Sequence, residues 1–356
     1  MMKIMIVLPS DNLGGAEQFL FNLARYYVIK GNQVDVFFLY HEKSKKWRDI
    51  PGANLRFTNS NSEIKGIYPM ICNIKKNGSK KYDIIFSSHQ HINCLLSILI
   101  KFQIIKTRKF ICRESTSIFL RYSGLKLFYH KFLYALYQRN IDLIICQTEE
   151  MKNQLLLGMK KFSNFCVKVI KNPIDVTEIK SRSEEALPFE LPEKFVLAIG
   201  RLNHVKRFDK LIHAYNKSQL KRNYSLLILG AGNEYANLTN LIKGLDLEQD
   251  VILKGHVDNV FPIIKKASLG IISSEIEGFP NVLIQMYALN LKVVTTNCCG
   301  GLNEFPDLYV CKDNSVEELS FLCDLAIKEN LKIDFTNFVE RFDINSFIHQ
   351  IEKNYE

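Results

Sequence analysis

SSEIEGFPNVLIQMYALN, residues 273–290, packs a strand end, a sharp turn and a helix start into one short stretch. Ser273 and Ser274 close the apolar run LGIISS (269–274), which predicts a strand. Glu275, Glu277, Gly278 and Pro280 supply the turn, and apolar residues at helical spacing begin near Asn281. A helix N-terminus carries N–H groups with no partner inside the helix, so this order sets a carboxylate, Glu277, beside an anion-binding helix end. That combination suits a sugar diphosphate.

The same unit recurs on both sides. KFVLAIG (194–200), YSLLILG (224–230), DVILKG (250–255) and KVVTTN (292–297) are predicted strands, with helices between them such as FDKLIHAYNKSQ (208–219) and NVLIQMYALN (281–290). The N-terminal half repeats the theme with KIMIVLP (3–9), QVDVFFLY (33–40), YDIIFSS (82–88), KFICRE (109–114) and IDLIICQ (141–147), and with a helix over 15–31. Short apolar strands alternating with amphipathic helices predict a parallel sheet covered on both faces. The chain of 356 residues accommodates two such doubly wound halves. VIKNPIDV (169–176) ends a strand at an Asn-Pro turn, and the polar stretch 177–194, with Pro188 and Pro192, has linker composition. The expected division is a first domain over 1–175, a second over 190–342, and a final helix over 343–356.

Charge divides at the same place. Residues 1–172 hold 27 Lys and Arg against 11 Asp and Glu, a net of +16, whereas residues 173–356 hold 20 against 26, a net of −6. The stretch 115–140 has no acidic residue and sets Arg121, Lys126, Lys131 and Arg139 among seven aromatic residues. It reads either as a contact for an anionic membrane surface or as a half-buried helix with ordinary basic residues. No nucleic-acid motif competes for the basic charge. The apolar run 94–105 is interrupted by Ser97, Lys101 and Gln103 and is too short to span a bilayer. Nine cysteines without a Cys-x-x-Cys spacing predict reduced thiols, a cytoplasmic setting and no structural zinc.

Four further places carry candidate chemistry. Gly14 and Gly15 lie between the first strand and first helix, where they form either a phosphate-binding loop or simply a tight turn with Glu17 in the first helical turn. LGAGNEY (229–235) has Tyr235 where a dinucleotide fingerprint needs glycine, so Gly230 reads as a backbone turn facing a ligand. Arg201 and Lys206, just after Gly200, can converge on a diphosphate or can be solvated surface charge. His89 with His91, and Arg113 with Glu114, each follow a strand end in the first half; either pair is a candidate beside a ligand, and either can be a capping pair.

The motifs GRLNHVKRFDKLIHAY (200–215), LGAGNEY (229–235), VILKGHVDN (251–259), EGFPNVLI (277–284) and VVTTNCCG (293–300) occur in this order, with GGAE (14–17) and NPID (172–175) ahead of them. This ordered set resembles the retaining glycosyltransferases of family 4, over nearly the whole chain and most strongly over 195–305. The resemblance implies the GT-B fold: two Rossmann-like domains facing a central cleft, with the last helix crossing back to the first. It implies a second domain that binds the nucleotide sugar, a first domain that binds the acceptor, no cofactor and no essential metal. Arg201 and Lys206 match the cationic pair that neutralises the leaving diphosphate, and Glu277 matches the first Glu of a Glu-x7-Glu motif that holds the donor sugar. Gly278, Phe279, Asn281, Val282 and Leu283 match the sugar and phosphate contacts, with Gly14, Gly15, Gly200 and Gly230 lining the donor. The second Glu of the motif is Gln285 here, which leaves one acceptor oxygen for the ribose where the family has a carboxylate. In the first domain the expected catalytic residue is Glu114, with His89 as its partner, and Arg121, Lys126 and Lys131 lie on the acceptor or membrane side.

The implied activity is transfer of a hexose or N-acetylhexosamine from a UDP-sugar, with retention, to a lipid-linked saccharide. The implied place is the cytoplasmic face of the membrane, in O-antigen or capsule-type polysaccharide assembly. Two alternatives differ in what they require. A non-catalytic or weakened nucleotide-sugar binder would follow from Gln285, and a UDP-sugar epimerase would need no acceptor.

Overall fold

A computed structural model describes residues 1–12, 14–42, 47, 50–77, 81–329 and 334–353. Leu13 of the glycine loop and residues 354–356 of the expected last helix lie outside the described residues. The chain divides into two compact units, Met1–Pro173 with Ile344–Glu356, and Ile174–Asp343.

The first unit runs β1 (Lys3–Leu8), α1 (Gly15–Ile29), β2 (Gln33–Phe38), β3 (Ala53–Phe57), α2 (Glu63–Asn77), β4 (Tyr82–Ser87), α3 (Gln90–Lys101), β5 (Thr107–Arg113), α4 (Ile118–Arg121), α5 (Gly124–Leu136), β6 (Leu143–Cys146), α6 (Glu149–Gly158) and β7 (Val167–Val169). Its seven strands are parallel, in the order β3-β2-β1-β4-β5-β6-β7. Alternate strand residues face opposite layers. Met5, Val7, Ile85, Cys112 and Ile144 pack with α2, α3, α5 and α6, whereas Ile4, Ile6, Leu8, Phe86 and Ile145 pack with α1. The expected single stretch over 115–140 is broken in two: Gly124 has φ +54 and begins α5 after the short α4.

The second unit runs α7 (Val176–Arg182), β8 (Phe195–Ile199), α8 (Phe208–Lys217), β9 (Ser225–Leu229), α9 (Tyr235–Gly244), β10 (Val251–Gly255), α10 (Phe261–Lys266), β11 (Leu269–Ile272), α11 (Asn281–Ala288), β12 (Val293–Thr295), β13 (Tyr309–Val310), α12 (Val316–Lys328) and α13 (Thr336–Val339). Six parallel strands follow the order β10-β9-β8-β11-β12-β13. Helices α7, α10, α11 and α13 cover one face, and α8, α9 and α12 the other. Composition alone reads residues 177–194 as linker, but α7 occupies the start of that stretch. Asp175 caps it by accepting the Glu178 amide at 2.8 Å, and Ile179 anchors it in the core.

The last described helix, α14 (Ile344–Lys353), returns to the first unit. Ile344, Phe347, Ile348 and Ile351 are buried in the α1 layer, and the Phe347 ring meets Phe19 edge-on at 5.5 Å.

Candidate donor site at the strand-order reversals

In an open parallel sheet, ligands bind beyond the C-terminal strand ends where the strand order reverses, because the loops there diverge. In the second unit this point lies between β8 and β11. The loops that follow them carry Gly200, Arg201, Lys206 and residues 273–280.

Backbone proximity explains the glycines. Gly230 has φ +147, and a Cβ there would stand 1.8 Å from the Gly200 carbonyl oxygen; one on Gly232 would stand 2.1 Å from that of Leu202. The loops after β8 and β9 therefore lie backbone on backbone. Short bonds tie the loops after β8, β11 and β12 to one another. Ser273 Oγ donates to the Lys206 carbonyl at 2.8 Å, the Glu275 amide to the Val205 carbonyl at 2.8 Å, and the Glu277 amide to the Cys298 carbonyl at 2.8 Å. Asn203 Oδ1 accepts the Lys206 amide at 3.2 Å and fixes the turn that precedes α8.

This scaffold brings Lys206 and Glu277 together. Lys206 Nζ is ion-paired to Glu277 Oε1, which also accepts a hydrogen bond from Ser274 Oγ at 2.8 Å. Both side chains are mostly covered, at 22% and 18% exposure, so solvent screens the pair only partly. Arg201 is exposed and makes no ion pair among the described residues. Its neighbour Arg207 is engaged with Asp209 at 2.9 Å. One cation is thus held by the carboxylate and one points to solvent, a geometry able to receive two negative charges.

Helix α11 starts at Asn281, after Pro280, with no side-chain cap. The Leu283 amide donates to the Pro280 carbonyl at 3.0 Å, and the Leu283 side chain is core. The Val282 amide, by contrast, makes no bond among the described residues. Phe279 likewise turns inward, its ring 5.5 Å from Phe305, leaving the half-buried Gly278 at the turn. Gln285 is half-buried, and its amide makes no hydrogen bond among the described residues.

The first unit shows the same arrangement between β1 and β4. Gly14 is the N-cap of α1 without a side-chain cap, Gly15 is its first residue, and Glu17 Oε1 lies 3.0 Å from His89 Nε2 at the start of α3. His89 therefore belongs to Glu17 and is not the partner of Glu114. His91 pairs with Glu63 at 3.0 Å, which holds that carboxyl below its usual range. Glu114 is enclosed instead: its carboxylate accepts from Tyr134 at 2.6 Å and from Tyr137 at 3.4 Å. Beside it Arg113 Nε donates to Asn172 Oδ1 at 2.9 Å, and the guanidinium lies 4.7 Å over the Phe19 ring. Burial pushes Arg113 down to about 9, which keeps it charged at neutral pH. Asn93, Gln147 and Asn172 complete this network; Asn93 and Gln147 carry no site signal in the sequence, and Asn172 is visible there only as the first residue of NPID.

Burial raises Glu114 to about 7, against the lowering effect of the two tyrosines and Arg113. An unfolded chain ionises this group near 4.5, so between about pH 4.5 and 7 the unfolded state releases a proton that the folded state keeps. Stability falls as pH rises through that window, by on the order of 3 kcal/mol in total, and then levels off. Glu114→Gln should remove this decline, measured as urea midpoints at pH 5 and 8. An unchanged difference between the two pH values would rule it out.

Arg121, Lys126 and Lys131 are exposed on α4 and α5 and lie 5.5, 5.8 and 6.0 Å from the rings of Tyr122, Tyr122 and Phe119. Among the described residues no cluster of three His, Cys, Asp or Glu is placed to hold a metal, and no helix is long and apolar enough to cross a membrane. All nine cysteines are free, six of them buried.

The family description Glycosyltransferase Family 4 matches residues 13–178, and Glycosyl transferases group 1 matches residues 180–333. The chain belongs to the family 4 glycosyltransferases of GT-B fold. It is 34% identical over 175 residues to the N-acetylgalactosamine-N,N'-diacetylbacillosaminyl-diphospho-undecaprenol 4-alpha-N-acetylgalactosaminyltransferase of Campylobacter jejuni, covering 49% of this chain and 47% of that protein. It is 26% identical to a second enzyme of that organism, GalNAc-alpha-(1->4)-GalNAc-alpha-(1->3)-diNAcBac-PP-undecaprenol alpha-1,4-N-acetyl-D-galactosaminyltransferase, over 95% of this chain and 90% of that one. Across the leading relatives the match spans 47% to 66% of their length. HepE of Anabaena, solved in complex with UDP and glucose, superposes with a TM-score of 0.80 at 17% identity, covering 99% of each chain, and shares the fold.

Proposed function

We propose that this chain is a retaining glycosyltransferase that moves a hexose or N-acetylhexosamine from a UDP-sugar to a lipid-linked saccharide. It does so at the cytoplasmic face of the membrane, in bacterial surface-polysaccharide assembly. The observation that carries this reading is the Lys206–Glu277 pair at the β8/β11 reversal, with Arg201 exposed beside it and the uncapped start of α11 at hand. On donor binding the diphosphate takes the two cations, and Glu277 is released to accept hydrogen bonds from sugar hydroxyls. As the glycosidic bond breaks, negative charge grows on the leaving UDP, and Arg201 and Lys206 stabilise it where it grows. No cofactor or metal is required by this scheme. The acceptor class is supported by the diphospho-undecaprenol acceptors named for the Campylobacter relatives, and the nucleotide by the UDP named for HepE.

Thermal unfolding with UDP, GDP, their sugar conjugates and NAD tests the donor. A ligand at 100 times its dissociation constant adds about 2.7 kcal/mol of stability. UDP and UDP-sugars should stabilise the protein without added metal; stabilisation by GDP-sugars or NAD alone would overturn the reading. Gln285→Glu should tighten UDP by roughly 5–30-fold, since a charged acceptor is worth about 1–2 kcal/mol more than a neutral one. A wild-type chain that binds UDP without turnover, with activity appearing in Gln285→Glu, would favour the second reading of a nucleotide-sugar binder.

A further inference from the structure

Most buried thiols in this chain are kept protonated by their surroundings. Burial pushes Cys94 up to about 11 and Cys311 up to about 12, and it holds Cys112, Cys146 and Cys323 well above the ordinary thiol range. Such groups behave as small hydrophobes. Cys298 departs from them. It is 3% exposed, yet its thiol is held below its ordinary value, chiefly because Cys299 hydrogen-bonds to it. Thr295 Oγ1 stands 3.9 Å from the same sulfur. Cys299 is half-buried and opens the pair to solvent. These two are the one pair of adjacent cysteines in the sequence.

The pair lies in the loop after β12, directly against the donor loops. The Cys298 carbonyl accepts the Glu277 amide at 2.8 Å, and the Cys298 amide donates to the Thr296 carbonyl at 2.8 Å. Thr296 Oγ1 donates in turn to the Ser274 carbonyl at 2.5 Å. Both members of the Lys206–Glu277 pair stand near enough to bias the Cys298 thiol electrostatically, in opposite directions. A change at either sulfur is therefore passed to the backbone that places Glu277.

We propose that Cys298 and Cys299 form a dithiol site for soft thiophiles that take two sulfurs, of which trivalent arsenic is the type, and that filling it disables donor binding by drawing the Cys298 carbonyl away from the Glu277 amide. Sulfur ligands select soft metals and metalloids, and two thiols already in contact make the second bond intramolecular. With phenylarsine oxide, Cys299 adds to arsenic first as the more accessible thiol, and Cys298 closes the ring. Two As–S bonds form, the arsenic–oxygen bonding breaks, and the two thiol protons leave with the oxygen as one water. Arsenic stays trivalent throughout. The effect on donor binding rests on the donor-site reading above, whereas the dithiol site itself does not.

The experiment is intact-mass analysis of the full folded chain with one equivalent of phenylarsine oxide. One phenylarsenic bridge per chain is expected, stable to a monothiol and removed by a dithiol such as dithiothreitol. Cys299→Ser, which alters a half-buried side chain, should weaken retention of the reagent by about a hundredfold or more, because a lone thiol forfeits the intramolecular second bond. Cys298→Ser should do the same, and Cys72→Ser, at the exposed cysteine, should change nothing. The bridged chain should lose at least half of the rise in melting temperature that UDP gives the untreated chain, and dithiothreitol should restore it. A bridge that survives Cys299→Ser, an adduct that depends on Cys72, or no adduct retained in monothiol overturns the site. A bridged chain that UDP stabilises as fully as the untreated one overturns its link to Glu277. If UDP fails to stabilise even the untreated chain, the donor reading fails, and the adduct mass decides the dithiol site on its own.

Discussion

Replacing Lys206 by alanine lowers the turnover of sugar transfer by about 10²–10³-fold, the usual cost of deleting one preorganised charge-stabilising group. The loss appears in kcat measured at saturating donor, because the ammonium matters most when the diphosphate gains charge in the transition state. The substitution also leaves Glu277 with Ser274 Oγ as its remaining side-chain partner at 2.8 Å, so a mostly covered carboxylate loses its counter-charge. Some loss of stability is therefore expected with Lys206→Ala. Arg201→Ala provides the contrast. Arg201 is exposed and makes no ion pair among the described residues, so its removal should lower kcat with little change in melting. If Lys206→Ala keeps kcat within threefold of wild type, the pair at the strand-order reversal is structural and the proposed charge neutralisation fails.

Gly230→Ala destabilises the second unit by about 3 kcal/mol, combining a backbone conformation costly to L residues with a steric collision that backbone atoms must absorb. The added Cβ would stand 1.8 Å from the Gly200 carbonyl, so the β8 loop that carries Arg201 has to move. In a unit of this size that cost lowers the melting temperature by roughly 6–12 °C. UDP stabilisation should fall with it. Gly244→Ala is the control: it lies in α9, where an added Cβ would meet nothing within 4 Å, so alanine there should be neutral or slightly stabilising. Equal melting of Gly230→Ala and the wild type would mean that the two loops are free to separate.

The layered α/β character is legible because each β1-like run is a short apolar block and each long helix keeps its apolar stripe. Local charge hides what local pattern cannot show. Helix α7 sits inside a highly charged stretch and is held by one cap, Asp175, and one buried residue, Ile179. The edge strands β3 and β13 are short, and the burial of β3 does not alternate, so periodicity gives no sign of either. Motif order brings the donor loops to notice as a set. Their hydrogen bonds stay hidden, since Ser274 and Asn203 are ordinary loop residues in sequence. Glu114 is visible as a strand-end carboxylate, but its enclosure depends on Tyr134 and Tyr137, twenty or more positions away. His89 and Glu17 are 72 positions apart and meet only because β1 and β4 are neighbours in the sheet.

The return of α14 has a consequence for synthesis. The layer over α1 lacks Phe347, Ile348 and Ile351 until those residues leave the ribosome. The 170 residues of the second unit are translated first, which takes on the order of 10–30 s. Throughout that interval Phe19 and its neighbours lack the α14 residues that pack on them, while the contiguous second unit has all its own residues as soon as its translation ends. The order of completion is thus reversed relative to the order of translation: the unit begun first is finished last. Nascent first-unit sequence is exposed to chaperones and to wrong partners for as long as its inserted neighbour takes to be made.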